Sequence, residues 1–370
     1  MLYLHIGFHK AGSTTLQAFL KANTAQFAGA GLLYPDIGRE AHHDAHHALA
    51  ASLRPVRADS EQTARLWSDL RELALGHPGD VAISSEGLDA VDPAPLGRLI
   101  EGVPVKVICY LRELPGRVVS IYNQATKNGN STVGFDRFFK RELRRLRTPS
   151  APRLKAYAEL FGPENVRVRS LDAAVLEGGE LTADFLAALG LGADAASRLQ
   201  LETVAPENRS AGWRTVEILR SLNADADWLD PAEAEIDADN PASVFGALMR
   251  AAMAAEARLG WDERGRYLSA EQIERGVAAH NADVAEVEAL GLDARLTRIS
   301  AADYRPREFL PDISLLSAKE TSAFYREMVR DLGAQIMAKP WRKVFAGLAE
   351  PPPPDPERQA RRDIRSGRRG

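Results

Sequence analysis

Apolar positions along this chain follow two different periods, and the two alternate through its first half. Short, mainly apolar runs at residues 2–6, 81–84 and 105–111 read as strands of a buried sheet, with a further strand at 166–170 and a short one near 32–34. Apolar residues three and four apart predict helices over about 13–23, 61–75, 115–127, 135–146, 152–161, 181–189 and 212–222. Phe161-Gly162-Pro163 closes one of these, because glycine turns the backbone and proline cannot extend a helix. Strands alternating with helices argue for an α/β fold, a P-loop-like parallel sheet flanked by helices. Residues 243–292 and 312–338 read as a helical C-terminal portion packed on that core, and no internal repeat is present.

The first strand-to-helix joint carries the densest chemistry. After Leu2–Ile6 the chain breaks at Gly7, crosses a loop with His9, Lys10 and Gly12, and enters a helix through Ser13, Thr14 and Thr15. Glycines at 7 and 12 let backbone N–H groups turn inward. The hydroxyls stand where a helix begins, so an anion meets free N–H groups and the positive end of the helix dipole. The nucleotide-binding pattern GxxxxGK[ST] has its glycines at this spacing, but here Ser13 occupies the lysine position and the lysine sits inside the loop, at 10. A lysine so placed acts as a point charge beside the group being transferred. The plain alternative is an ordinary strand-turn-helix joint with a solvated lysine.

A second segment shifts that balance. The apolar run 105–111 ends in Arg112, and Ser120 follows eight residues later on a predicted helix. Arginine offers a planar fork matched to a phosphate, and a serine hydroxyl completes such a cradle. A phosphate-hydrolysing P-loop enzyme is expected to carry a magnesium-holding aspartate after such a strand. An arginine there implies charge recognition without a metal.

Together these segments resemble the sulfotransferase family that uses 3′-phosphoadenosine 5′-phosphosulfate (PAPS). In that family a strand-loop-helix with an internal lysine binds the 5′-phosphosulfate, and an arginine with a serine eight residues on binds the 3′-phosphate. Lys10, Ser13, Thr14 and Thr15 match the first motif; Arg112 and Ser120 match the second. HIGFHKAGSTTLQ and the later LKAYAELFGPENVRVRSLD are most similar to bacterial carbohydrate-type members. The resemblance covers roughly residues 1–220, and Ala11 departs from it where many relatives have threonine. It implies PAPS as sulfuryl donor, no metal, and a hydroxyl acceptor on a saccharide or glycolipid. It also suggests that Arg209, beside Asn208 and Ser210, closes over the nucleotide.

Sulfuryl transfer needs cations near the bridging oxygen and a base near the acceptor. Lys10 meets the first need. For the base, Glu86 follows the strand at 81–84 and so belongs at the carboxyl end of the sheet, where open α/β sheets bind ligands. The family resemblance supports a glutamate in that role; a cap or ion pair at the strand end is the alternative. The rival is the stretch HHDAHH, with His42, His43, His46 and His47 as candidates for the acceptor cleft or as plain surface histidines. Their four-residue spacings would suit a metal on one helix face, but the reaction needs no Lewis acid and no metal is expected. His5 reads as a core histidine, while His9 neighbours Lys10 and is expected to touch the ligand. Lys140, Arg141, Arg144, Arg145 and Arg147 read as a solvated helix face, with a rim for an anionic saccharide as the alternative.

With 370 residues, 45% of them hydrophobic, the chain can bury a sizeable core. The expected division is an α/β core over 1–222, an acidic insertion over 223–242 too irregular for a calcium loop, a helical portion over 243–347, and a disordered Pro/Arg-rich tail over 348–370 able to make weak anionic contacts. A formal charge of −4 gives no drive toward nucleic acid or membrane. The single cysteine, Cys109, lies in an apolar strand and reads as a core residue. No membrane-length apolar run and no signal-like start are present, so a cytoplasmic protein is expected. The competing functions are a P-loop small-molecule kinase and an inactive nucleotide-binding module. Ser13 and Arg112 stand against the first, Lys10 and Glu86 against the second.

Overall fold

A computed structural model describes residues 1–8, 10–39, 44–57, 60–145, 150–192, 194–203, 210–224 and 244–332. Its strands are β1 (Leu2–Ile6), β2 (Leu32–Leu33), β3 (Asp80–Ser85), β4 (Val105–Leu111), β5 (Val166–Ser170) and β6 (Asp293–Arg295). The helices of the first half are α1 (Ser13–Ala22), α2 (Thr24–Gly29), α3 (His47–Ser52), α4 (Glu61–Gly76), α5 (Leu96–Leu99), α6 (Leu114–Lys127), α7 (Phe135–Arg145) and α8 (Ser150–Phe161). The later ones are α9 (Leu181–Ala188), α10 (Ala195–Arg198), α11 (Trp213–Ala224), α12 (Val244–Leu259), α13 (Ala270–Glu288) and α14 (Ala318–Leu332). This is the expected α/β class: a six-stranded sheet in the order β2-β3-β1-β4-β5-β6, parallel at every pairing and flanked by helices.

The described residues form two compact units, one within 1–117, 143–209 and 271–304, the other within 118–142, 210–270 and 305–332. The first unit reclaims α13 and β6 because β6 pairs with β5, Val168 opposite Ala294. The first unit holds the whole sheet and one continuous apolar core, in which Leu4, Ile6, Trp67, Ile83, Val107 and Phe185 are all essentially inaccessible. β1 is buried along its full length, as a central parallel strand should be. The second unit is helical. The Tyr122 ring packs edge to face with Phe135, Phe138 and Tyr267, and the buried Glu217 accepts from the Tyr122 hydroxyl at 2.9 Å.

β6 has no apolar signature. Its three residues are held by charge instead: Arg167 and Arg169, alternate positions on β5, reach the Asp293 carboxylate at 2.7 and 3.0 Å. Arg169 is buried, and its guanidinium also donates to the carbonyls of Val168 and Asp293. Within the expected helical stretch 243–292, residues 261–269 carry no helix and separate α12 from α13.

The topology locates a crevice. β1 leads outward to β2 on one side of the sheet, whereas its neighbour β4 leads to β5 on the other. Adjacent parallel strands whose connections diverge leave an opening beyond their carboxyl ends. The loop after Ile6 and the residue after Leu111 border that opening.

Candidate functional site

β1 delivers the chain into the loop at Gly7, whose N–H donates to the Ser85 carbonyl at 3.4 Å. The loop then turns through two left-handed residues, Lys10 at φ 67° and Gly12 at φ 88°. Gly12 is confined to glycine twice over, because a Cβ there would also meet the Leu181 side chain at 2.5 Å. Lys10 holds the same region with a side chain, at a cost of about 1–2 kcal/mol. Backbone strain of this kind is sustained where the surrounding structure fixes it. Gly12 is also the N-cap of α1, and no side chain caps the helix. The first-turn N–H groups of a helix have no intrahelical partner, so they are open to an anion.

Ser13 is the tightest point of the site. Its side chain is 2% exposed, and its Oγ has no hydrogen-bond partner. A Cβ on Gly7 would fall 2.1 Å from that Oγ and 3.2 Å from the Cγ of Glu86. Gly7, Ser13 and Glu86 therefore meet at one spot, with room for backbone only. An orphaned buried hydroxyl beside uncapped N–H groups fits a bound phosphoryl oxygen. Thr14 is exposed and Thr15 half-buried on the same turn.

Glu86 opens a short helical turn, Glu86–Ala90, directly after β3, and is half-buried. The parallel register puts it beside the loop, since Ile6 pairs with Ser85. Ser85 ties this corner together: its Oγ accepts from the Gly87 N–H at 3.3 Å and lies 3.3 Å from the Nδ1 of His47.

Of the four candidate histidines, His46 and His47 fall among the described residues. His46 is buried in the core; its Nδ1 accepts from the Ser84 N–H at 3.2 Å and its Nε2 faces the Pro35 carbonyl at 3.0 Å. Burial pushes its pKa down to about 4, so it is neutral and committed to the fold. α3 starts at His47, with His46 as the residue before it. His47 is half-buried beside Ser85, the residue that precedes Glu86. His42 and His43 lie outside the described residues, as do His9 and Arg209. His5 is a core histidine, its Nδ1 2.7 Å from the Ser84 Oγ, which also accepts from Gln17 at 3.1 Å. Its Nε2 has no partner, and burial holds its pKa near 4.

On the other border, Arg112 is half-buried just past β4, its Nε 3.6 Å from the Glu113 carboxylate. Glu113 accepts from the Gly116 N–H at 2.5 Å and from the Tyr304 hydroxyl, whose pKa is raised by burial and then by that carboxylate. Ser120 lies half-buried on α6, beyond the boundary between the two units at 117 and 118. Sequence reasoning missed the small cavity beside Arg112, whose lining includes Arg117, Ser150, Ser170, His280 and Asp283. These come from four separate elements and share no spacing that could announce them. Among the described residues no cluster of histidine, cysteine or acidic side chains is arranged to hold a metal ion. Cys109 is fully buried, and burial pushes its thiol pKa well up. No described helix is long and apolar enough to cross a membrane.

No family model and no curated protein matches this chain. Among solved structures it is similar to a sulfotransferase from Alicyclobacillus acidocaldarius, with 16% identity over 80% of this chain and 96% of the other, at a TM-score of 0.39.

Proposed function

We propose that this chain is a sulfotransferase that moves a sulfuryl group from PAPS to a hydroxyl, on a saccharide or glycolipid acceptor, in the cytoplasm. One observation carries the reading. A phosphate-type loop holds its lysine inside the turn, at a left-handed residue, and closes on an unpartnered buried serine hydroxyl that touches Gly7 beside Glu86. A kinase of the P-loop type is expected to have a lysine where Ser13 stands.

The donor supplies the sulfuryl group, and the chain supplies the electrostatics around it. In this reading the N–H groups at the start of α1, with the hydroxyls of Ser13, Thr14 and Thr15, hold the 5′-phosphate. Lys10 faces the oxygen that bridges phosphate and sulfate, where negative charge grows as the bond breaks. Glu86 accepts the proton of the acceptor hydroxyl. Arg112, with Ser120, reads the 3′-phosphate through a bidentate fork.

Calorimetry with adenosine 3′,5′-bisphosphate, ATP and GTP, each with and without magnesium, tests the donor. The bisphosphate should bind most tightly and without magnesium. Tight, magnesium-dependent ATP binding with no response to the bisphosphate overturns the reading in favour of a kinase.

A further inference from the structure

Asp89 is a buried carboxylate that the mechanism above leaves without a role. It stands three residues after Glu86 in the same short turn, Glu86–Ala90, and its side chain is 2% exposed. A charge so buried has to be matched. The match comes from α8, where the Arg153 guanidinium donates to the Asp89 carboxylate at 3.3 Å. One helical turn further along, the Tyr157 hydroxyl donates to the Leu88 carbonyl at 2.8 Å. Residues four apart share a helix face, so one face of α8 holds two consecutive residues of the turn that carries Glu86. Beside Glu86 the turn is packed closely too, since a Cβ on Gly87 would meet the Ala50 Cβ at 2.7 Å.

The same cation reaches the loop. The Arg153 guanidinium lies 5.8 Å from the centre of the Phe8 ring, within range of a cation–π contact. Phe8 is the residue after Gly7 and is itself 1% exposed. Arg117, on α6, stands at the same distance from that ring; burial lowers its pKa, and the Asp89 charge opposes that. Asp89 thus gathers positive charge that belongs to neither segment of the site and that touches both, the turn of Glu86 and the loop of Lys10.

We propose that Asp89 is a positioning residue, which through its ion pair with Arg153 holds Glu86 in place beside Gly7 and Ser13. The proposal rests on the sulfotransferase reading above, in which Glu86 is the base. Proton transfer needs the carboxylate held within hydrogen-bond reach of the acceptor hydroxyl. A five-residue turn has too few hydrogen bonds of its own to do that. The Asp89–Arg153 pair supplies the constraint from the buried side of the turn and leaves Glu86 to face the crevice.

Asp89→Asn, Arg153→Met, Arg153→Lys and the Asp89→Asn/Arg153→Met pair test this, beside Val287→Ala, a substitution elsewhere in the core that should lower only the melting temperature. Asp89→Asn leads the set, because it removes the buried charge and leaves Arg153, 43% exposed, able to turn to water. Turnover is followed as adenosine 3′,5′-bisphosphate released from PAPS in a mixture of mono- and disaccharides, nucleotide affinity by calorimetry, and the turn by amide hydrogen exchange at residues 86–90. Asp89→Asn should lower kcat by about tenfold to a hundredfold, as misplacement of a reacting group does, with KM for PAPS and bisphosphate affinity within about twofold of wild type. Exchange at residues 86–90 should quicken. Arg153→Lys should keep most of the turnover that Arg153→Met loses. The pair should be no slower than the slower single variant, because both changes remove one contact. Wild-type kcat in Asp89→Asn, or losses that multiply in the pair, overturns the role. So does a loss of nucleotide affinity as large as the loss of kcat, or an equal loss of kcat in Val287→Ala, since either indicates general damage. A wild-type protein that binds the bisphosphate no better than adenosine 5′-monophosphate removes the sulfotransferase reading. Exchange then decides by itself whether Asp89 orders the turn, and unchanged exchange in Asp89→Asn overturns that too.

Discussion

Replacing Gly7 by alanine probes the loop, the helix start and the proposed base with one methyl group. The new Cβ would stand 2.1 Å from the Ser13 Oγ, 2.9 Å from the Ser13 Cβ and 3.2 Å from the Glu86 Cγ. Rotation of the hydroxyl relieves the first contact and leaves the second, so α1 or β1 must shift. Gly7 is not in the left-handed region, so the whole effect is steric. Forcing a methyl into a filled site costs about 1–3 kcal/mol. Thermal denaturation should therefore show a melting temperature lower by a few degrees. Turnover should suffer more than stability, because the methyl displaces the Ser13 hydroxyl from the anion and Glu86 from the acceptor at once. Ser13→Ala removes the closest atom, so the Gly7→Ala/Ser13→Ala pair should regain part of the stability without regaining nucleotide affinity. A Gly7→Ala protein that melts, binds and turns over like wild type would refute the contact geometry on which the site is built.

Other substitutions separate the remaining roles. Lys10→Gly relieves the left-handed strain and should stabilise the fold by about 1 kcal/mol while kcat falls sharply; a raised KM at unchanged kcat makes Lys10 a binding residue only. Glu86→Gln should lower kcat by about 10²–10⁴ with nucleotide affinity intact, whereas His47→Gln should act mainly on acceptor KM; the opposite pattern moves the base to His47. For His5 and His46 the unfolded pKa is 6.5 and the folded value about 4, so only the unfolded chain takes up protons between them. Stability is then fully present above pH 6.5 and lost as pH falls toward 4, by about 3 kcal/mol for each histidine; a melting temperature flat across that window contradicts their burial.

How much of the fold and the site was legible in the sequence depends on which force placed each residue. Burial was easiest to read. β1 and β4 begin and end where their mainly apolar runs do, because a central parallel strand is covered on both faces. β6 was illegible for the opposite reason: the Arg167 and Arg169 guanidiniums position it, and ion pairs leave no periodic trace. The HHDAHH stretch shows a third limit. Spacing suggested one helix face, but the chain enters α3 only at His47, and the core hydrogen bonds of His46 to Ser84 and Pro35 lie beyond local pattern. The small cavity beside Arg112 fell outside every motif because its lining comes from the ends of β4 and β5 and from α6, α8 and α13.

The register of β1 explains why loop and candidate base belong to one site although some 80 residues separate them. β1 hydrogen-bonds to β3 on one side and β4 on the other, with Leu2 level with both Val81 and Val105. All three strands run in one direction and finish close to one level, so the next residue after each strand arrives at the same edge: Gly7 after β1, Glu86 after β3, Arg112 after β4. A slip of β1 by one residue would turn its side chains to the opposite face and carry Gly7 away from Ser85. The buried His5 opposes such a slip, since its Nδ1 has Ser84 as partner only when Ile6 stands opposite Ser85. On this argument the polar pair inside the sheet is a register pin for the site at its end. His5→Leu would then loosen the Gly7–Ser13–Glu86 contact from within the core, lowering turnover while leaving every residue of the site in place; a His5→Leu enzyme with wild-type turnover would show that burial of β1 alone fixes the register.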